Sequence, residues 1–399
     1  EGGRCFSCRE NCIPLNKSRQ IETPGFEKSI GSGKFPVYSH YCGGEPHASL
    51  LPKSIIDGEP YKIRSLLVYG ASLITSWPNP SLWRKALGEL DFLVTMDLQM
   101  TADSAYADIV LPATTAFEQE SYCYYGCSIR VREKMIEPVG QSRPCYDILA
   151  ELANRLGYGH LYPQDSKSLL KQVIKGTGFT LSDLEQAPKH TVRGKKEPMV
   201  YRKWEKGLLR KDGKPGFNTP SGKFEIKSTI LEQFGYDGLP KYEESIETPI
   251  SNPRMLKRYP LILGTGPFKP DMKSCLRAIP DFIKKYPYPL VQLNPKDAEV
   301  RKIKTKDRVV IKTDRGSVMM RAFVTEDIME GFVYAVAGGG GPQGPDEWKK
   351  ANVNILTDLE QFDPISGFPV YKTLLCQVKK KKRKRRGIAV QDPSLGCVG

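Results

Sequence analysis

A chain of 399 residues, 39% of them hydrophobic, is long enough for two or three domains with cores of their own. No apolar run approaches the about 18 residues that cross a bilayer, so no transmembrane helix is expected. Formal net charge is +15, but eight of the basic residues form the single run Lys379–Arg386 (KKKKRKRR), which leaves +7 on the body and, with no aromatic interleaving or nucleic-acid module beside it, does not indicate a nucleic-acid-binding protein.

The first residues, EGGRCFSCRENC, show neither an initiator Met nor an apolar signal core, and read as the start of a cut chain. The compartment, periplasm or cytoplasm, therefore stays open. Cys5, Cys8, Cys12 and Cys42 follow a C-x2-C-x3-C pattern with a 29-residue gap before the last. Four thiolates so spaced can hold an iron–sulfur cluster. Structural thiols are the preferred reading, because no long cofactor domain separates them from the strand–helix region that begins near residue 60. GSGKF (Gly31–Phe35) lacks the first glycine of a phosphate loop and the hydroxyl residue after Lys34.

From about residue 60 to 157 strand and helix alternate. SLLVYG (Ser65–Gly70) reads as a strand closed by glycine. NPSLWRKALGEL carries Asn79 as helix N-cap and Pro80 at the first helical position. FLVTM (Phe92–Met96) and DIVLP (Asp108–Pro112) read as further strands, and YDILAELANRLGYG as an amphipathic helix ending at Gly157. Strands apolar on both faces, alternating with helices, predict a doubly wound α/β domain with a mostly parallel sheet covered on both sides. Ligands of such sheets sit at the carboxyl ends of the strands, where Gly70, Asp97 and the Thr101 loop fall. Asp108 reads as ordering a strand entrance, and Glu118 and Glu120 as salt-bridge partners.

Residues 161–255 read as a connecting segment, with a tight turn and a following strand in NTPSGKFEI (Asn218–Ile226). After it come LILGTG, LVQLNP, RVVIKTDRGSVMMRAFVT and GFVYAVAGG, short strands with closely spaced turns; Asp314–Gly316 is a hairpin loop. Residues 256–378 therefore predict an all-β barrel. GGGGPQG places G-x-G-x-x-G at Gly339, Gly341 and Gly344, but Pro342 and the β setting argue against a dinucleotide fingerprint. Residues 379–399 read as a solvated, disordered tail. No H-E-x-x-H, no G-x-S-x-G and no histidine-based triad is present, so the residues by themselves identify no catalytic group.

Several segments, in order, resemble the molybdopterin oxidoreductase family, the dimethyl sulfoxide reductase superfamily. They are GEPYKIRSLLVYGASLITSWPN, MDLQMTADSAYADIVLPATTAFE, NTPSGKFE, YPLILGTG, LNPKDAEVRKIKTKDRVVIKTDRGSV and NVNILTDLEQFDPISGFPVYK. KFPVYSHYCGGEPHASLLPKSI and SCLRAIPDF are more loosely similar to thiosulfate and polysulfide reductases and acetylene hydratase-like members. The resemblance implies the C-terminal part of a catalytic subunit, with residues 1–160 in the α/β domain and a double-psi-like barrel for the dinucleotides. It implies bis-molybdopterin guanine dinucleotide with Mo or W. A four-iron four-sulfur cluster and the metal-ligating residue would lie upstream of this chain.

By motif, the cofactor-binding residues so implied are Gly70 and Ser72, Asp97 and Thr101, Thr265 and Gly266, Ser274 and Arg277, and Asn354 and Lys372. The chain departs from the family at Ala71, Ser72 and Leu73, at Asp103 where Thr is usual, at Pro267, and at AGGGG (Ala337–Gly341). The resemblance implies a small-molecule substrate, an iron–sulfur electron-transfer subunit, a membrane anchor subunit and anaerobic respiration, with no nucleic acid. The expectation is a cofactor-seating part of an oxidoreductase, inactive alone. The alternatives are a hydratase with the same cofactor, or a non-catalytic module docking through its basic tail.

Overall fold

The computed structural model describes residues 28–42, 45–125, 128–194, 200–268 and 277–381. They form two compact units. One comprises the chain up to Glu243 together with Leu359–Pro369; the other comprises Glu244–Asp358 and the chain from Val370 onward.

The first unit is built on a parallel sheet of β1 (Ser65–Tyr69), β2 (Phe92–Asp97) and β3 (Ile109–Pro112), in that spatial order. Tyr69 is opposite Met96 and Asp97 opposite Pro112, so Gly70 and Asp97 follow one another across the carboxyl edge. The helix Pro80–Gly88 starts as its sequence requires: Asn79 adopts φ 54° and its side chain accepts from the Leu82 N–H at 3.1 Å. The helix lays Trp83 and Leu87 against Val68, Leu93 and Ile74, and Leu359 from the distant segment completes this core. Burying such side chains contributes about 1.5–3 kcal/mol each. The expectation of a sheet covered on both sides fails at β3, where Ile109 and Val110 are exposed.

A second sheet lies beyond the sequence-based expectation. β4 (Ser121–Tyr125), β5 (Ser128–Arg132) and β6 (Thr191–Arg193) pair antiparallel, and the helices Ser166–Ile174 and Leu181–Gln186 cover them. Ile129, Leu170, Ile174, Leu184 and Val192 make a small core of their own. Residues 161–193 are thus part of a packed layer rather than a connector, because their apolar residues recur at helical spacing. The strand expected after Pro220 does not form; Phe224 and Ile226 are exposed, and among the described residues no partner strand meets them.

The second unit is a closed six-stranded barrel of β7 (Leu261–Gly266), β8 (Leu290–Leu293), β9 (Arg308–Lys312), β10 (Ser317–Val324), β11 (Phe332–Val336) and β12 (Leu374–Lys380), ordered β10-β8-β11-β7-β12-β9. Alternate residues of each strand point inward, giving a core that includes Leu263, Val291, Ile311, Met320, Val333 and Cys376. Closure by β12 carries strand structure into the basic run, through Lys379 and Lys380, so the tail does not begin at 379. At the β9–β10 hairpin, Arg315 pairs with both Glu247 and Asp358. Glu247 is itself almost wholly buried.

Candidate functional site

Two loops meet at the carboxyl ends of β1 and β2. The first turns at Gly70, whose φ of 56° lies in the left-handed region that favours glycine. Among the described residues, a methyl added there would meet nothing within 4 Å, so the backbone surface over Gly70 is open. The Gly70 N–H donates to the Met96 carbonyl at 3.0 Å, which ties the turn to β2.

The second loop leaves β2 at Asp97. Its carboxylate is half-buried and accepts from the Leu98 N–H at 2.7 Å. Burial pushes this carboxyl above its ordinary pKa, and the N–H groups of Leu98 and Gln99 partly offset that. Thr101 is fixed by Ser104, its hydroxyl 3.0 Å from Ser104 Oγ, and Ser104 in turn accepts from Thr95 of β2 at 3.2 Å.

Asp103 locks the two loops together. Its side chain is fully buried, and its oxygens accept from the backbone N–H groups of Leu73 at 2.7 Å and Ile74 at 2.9 Å. Burial raises its pKa, with these bonds and the Ser72 hydroxyl opposing. Asp103 stands out in the sequence as a departure from the family pattern; its role as a clamp needs the structure, because its partners lie 29 and 30 residues away.

Beside this edge is a pocket of about 190 Å³ whose lining includes Tyr69, Gln119, Ser121, Cys145, Tyr146 and Lys167. The Cys145 thiol is pushed up by burial and lies within the field of Asp97. Of the acids weighed from sequence, Asp108 accepts from the Leu93 N–H at 2.7 Å and orders the entrance of β3. Among the described residues Glu118 makes no ion pair. It is buried and accepts backbone N–H groups of Thr115 (2.6 Å) and Val139 (2.7 Å); the Thr115 hydroxyl together with these N–H groups holds its pKa low.

The barrel unit gathers a second set. Thr265 is buried and donates to the Tyr371 carbonyl at 3.1 Å, which places it beside the exposed Lys372. A methyl at Gly266 would overlap the Tyr334 hydroxyl, which donates to the Pro267 carbonyl at 3.2 Å. Arg277 is buried; its guanidinium stacks on Trp348 at 3.4 Å and reaches the Ala337 carbonyl at 3.4 Å. Ala337 in turn donates to the Gly266 carbonyl at 2.8 Å. Thr265, Gly266, Arg277 and Lys372 therefore cluster at one end of the barrel. Asn354 is buried in the short helix Val353–Leu356, where its carbonyl accepts from the Thr357 hydroxyl at 3.0 Å. Ser274 lies outside the described residues, as do Cys5, Cys8 and Cys12. Among the described residues, no group of three or more His, Cys, Asp or Glu side chains is placed to hold a metal.

The donor set of the first unit suits the guanosine end and pyrophosphate of a dinucleotide. An acceptor carboxylate can take guanine N–H or ribose O–H groups, and an open glycine turn lets backbone amides approach phosphate. The Gly70 surface that no described protein atom covers is the observation in favour of such a fit.

Comparison with known proteins identifies the family that both units resemble. Residues 51–155 match the family profile "Molybdopterin oxidoreductase", and residues 261–375 match "Molydopterin dinucleotide binding domain". The chain is 27% identical to the F420-dependent formate dehydrogenase subunit alpha of Methanocaldococcus jannaschii, over 89% of this chain and 49% of that protein. It is 30% identical to the probable oxidoreductase YoaE of Bacillus subtilis, over 83% of this chain and 46% of the relative. The acetylene hydratase from Pelobacter acetylenicus superposes with a TM-score of 0.78 at 23% identity, covering 89% of this chain and 52% of that one, and so shares the fold. The chain spans about half the length of the curated relatives it matches.

Proposed function

The chain belongs to the molybdopterin oxidoreductase family, and on that premise we propose that it is the cofactor-seating part of an enzyme that carries bis-molybdopterin guanine dinucleotide with Mo or W. When bound, that group supplies two-electron redox chemistry, commonly with oxygen or sulfur transfer, to a small sulfur, oxygen or carbon substrate.

This chain's residues bind and orient. Asp97 accepts hydrogen bonds from a guanine or ribose edge, Thr101 presents its hydroxyl beside it, and the Gly70–Ser72 turn offers backbone amides to anionic oxygens. Asp103 holds those two loops at one spacing. In the barrel, which we read as double-psi-like, Thr265, Gly266 and Arg277 form a rigid floor, and Lys372 and Asn354 flank it. The observation that carries the reading is the open Gly70 turn next to a half-buried Asp97 inside the matched segment. The four-iron cluster, the metal-ligating residue and the docking of an iron–sulfur electron-transfer subunit belong, in this proposal, to the remainder of a longer protein, and this portion is inactive alone.

The test is metal and pterin content of protein purified anaerobically from its native source. Molybdenum or tungsten with pterin and about four irons, on a chain longer than 399 residues, is the expected result. Iron without either metal on this same chain would overturn it in favour of a cluster held by Cys5, Cys8, Cys12 and Cys42. Neither metal nor pterin would leave a non-catalytic binding module.

A further inference from the structure

We propose that the barrel end opposite Thr265 is a docking face for an anionic lipid surface. Two stretches far apart in sequence meet there. The loop Arg301–Arg308 (RKIKTKDR) carries five basic residues and a single acid, and β12 ends at Lys379 and Lys380, with Lys381 just beyond. β9 and β12 pair so that Lys380 is opposite Val309, and the Lys381 N–H donates to the Arg308 carbonyl at 2.9 Å. One open basic depression is lined by both stretches.

Part of this charge is neutralised. Arg301 pairs with Asp297, Arg308 with Glu347, and Lys380 with Asp307. Lys302, Lys306, Lys379 and Lys381 are exposed and make no ion pair among the described residues. The sequence then continues through five more basic residues, Lys382–Arg386. The barrel thus brings the loop's charge to the point where the tail's charge starts, a juxtaposition not visible in the linear sequence.

This face is separate from the cofactor-facing residues. Leu374, at the start of β12, pairs with Leu263 beside Thr265. Lys380 is six residues further along an extended strand, about 20 Å away. The chemistry of the face also selects its partner. Among the described residues no aromatic side chain lines it, so bases have no stacking platform. Val378, the apolar residue among those that line it, is buried, so the face lacks the packed centre of a protein–protein interface. The remaining character is a lysine-rich, diffuse charge. Headgroups of an anionic leaflet attract such clusters residue by residue, without shape matching.

The test is sedimentation of the full chain with phosphatidylcholine vesicles, with and without phosphatidylserine. Binding only to the serine-lipid vesicles, weakening as salt rises, is expected. Replacing Lys302, Lys306, Lys379 and Lys381 together by Glu should reduce binding by roughly tenfold or more. The milder pair Lys302→Gln and Lys306→Gln should reduce it in part, and guards against misfolding of the quadruple variant. A chain ending at Lys381 should retain binding that the quadruple variant lacks. The proposal is overturned if binding ignores phosphatidylserine. It is equally overturned if the four lysines do not matter and only residues after Lys381 do, or if duplex DNA strips the chain from vesicles at equal charge concentration.

Discussion

The two glycines proposed to face the cofactor, Gly70 and Gly266, occupy opposite kinds of environment. Gly70 adopts a left-handed turn under open space, whereas the space over Gly266 is filled by Tyr334. The same contrast extends to their neighbours. In the parallel-sheet unit, Asp97 and Thr101 sit on loops held by a few hydrogen bonds; in the barrel, Thr265 and Arg277 are buried and partnered. On the proposed reading, the sheet unit presents groups to a ligand, while the barrel supplies a packed surface. Glycine suits both places, but for a left-handed turn in one and for side-chain packing in the other.

The largest effect expected of a single change lies in the barrel. Glu247→Ala leaves Arg315 with Asp358 and Asp314 but without its most buried partner, which should cost about 3 kcal/mol and lower the denaturant midpoint of the barrel transition. If that transition is unmoved, the barrel is not the rigid partner in the comparison. Asp103→Ala orphans the N–H groups of Leu73 and Ile74, each worth about 1–3 kcal/mol. It should speed amide exchange in the Gly70–Ile74 turn while leaving the barrel strands protected.

Gly266→Ala and Gly70→Ala form a paired test. The first should destabilise by about 1–3 kcal/mol through overpacking against Tyr334, read as a shift in melting temperature. The second carries only the left-handed backbone penalty, about 1–2 kcal/mol, but places a methyl on the open turn and should weaken guanine dinucleotide retention. Equal retention in the two variants would erase the distinction.

The smallest effect concerns Asp97. Its folded pKa is raised, so its ionised form opposes folding; the protonated form's stabilisation is present at low pH and lost as pH rises through the folded value. Asp97→Asn should therefore raise the melting temperature slightly at neutral pH while reducing guanine binding. In the unchanged chain, guanine binding should fall with acidification at a pH above the ordinary aspartate pKa of about 3.9.

Legibility in the sequence depended on whether a signal was local. Asn79 and Pro80 start a helix through contacts within four residues, and β1, β2 and the β9–β10 hairpin arise from short apolar runs and turn residues. The antiparallel sheet is hidden in the sequence because β6 is three residues long and joins β5 across some 60 positions. The same holds for Leu359, which packs with Trp83. Asp97 and Thr101 are readable as strand-end polar residues. The burial of Arg277 against Trp348 is not, since an arginine in a loop is ordinarily exposed.

Photo-crosslinking with azido-guanosine diphosphate, with mass-spectrometric mapping of the labelled peptides, tests the site most directly. Labelled peptides spanning Gly70–Ser76 and Asp97–Ser104 are expected, protected by guanosine diphosphate and not by adenosine diphosphate, and lost in Asp97→Ala. Labelling confined to Arg301–Arg308 and Lys379–Lys381, or equal protection by both nucleotides, would contradict it.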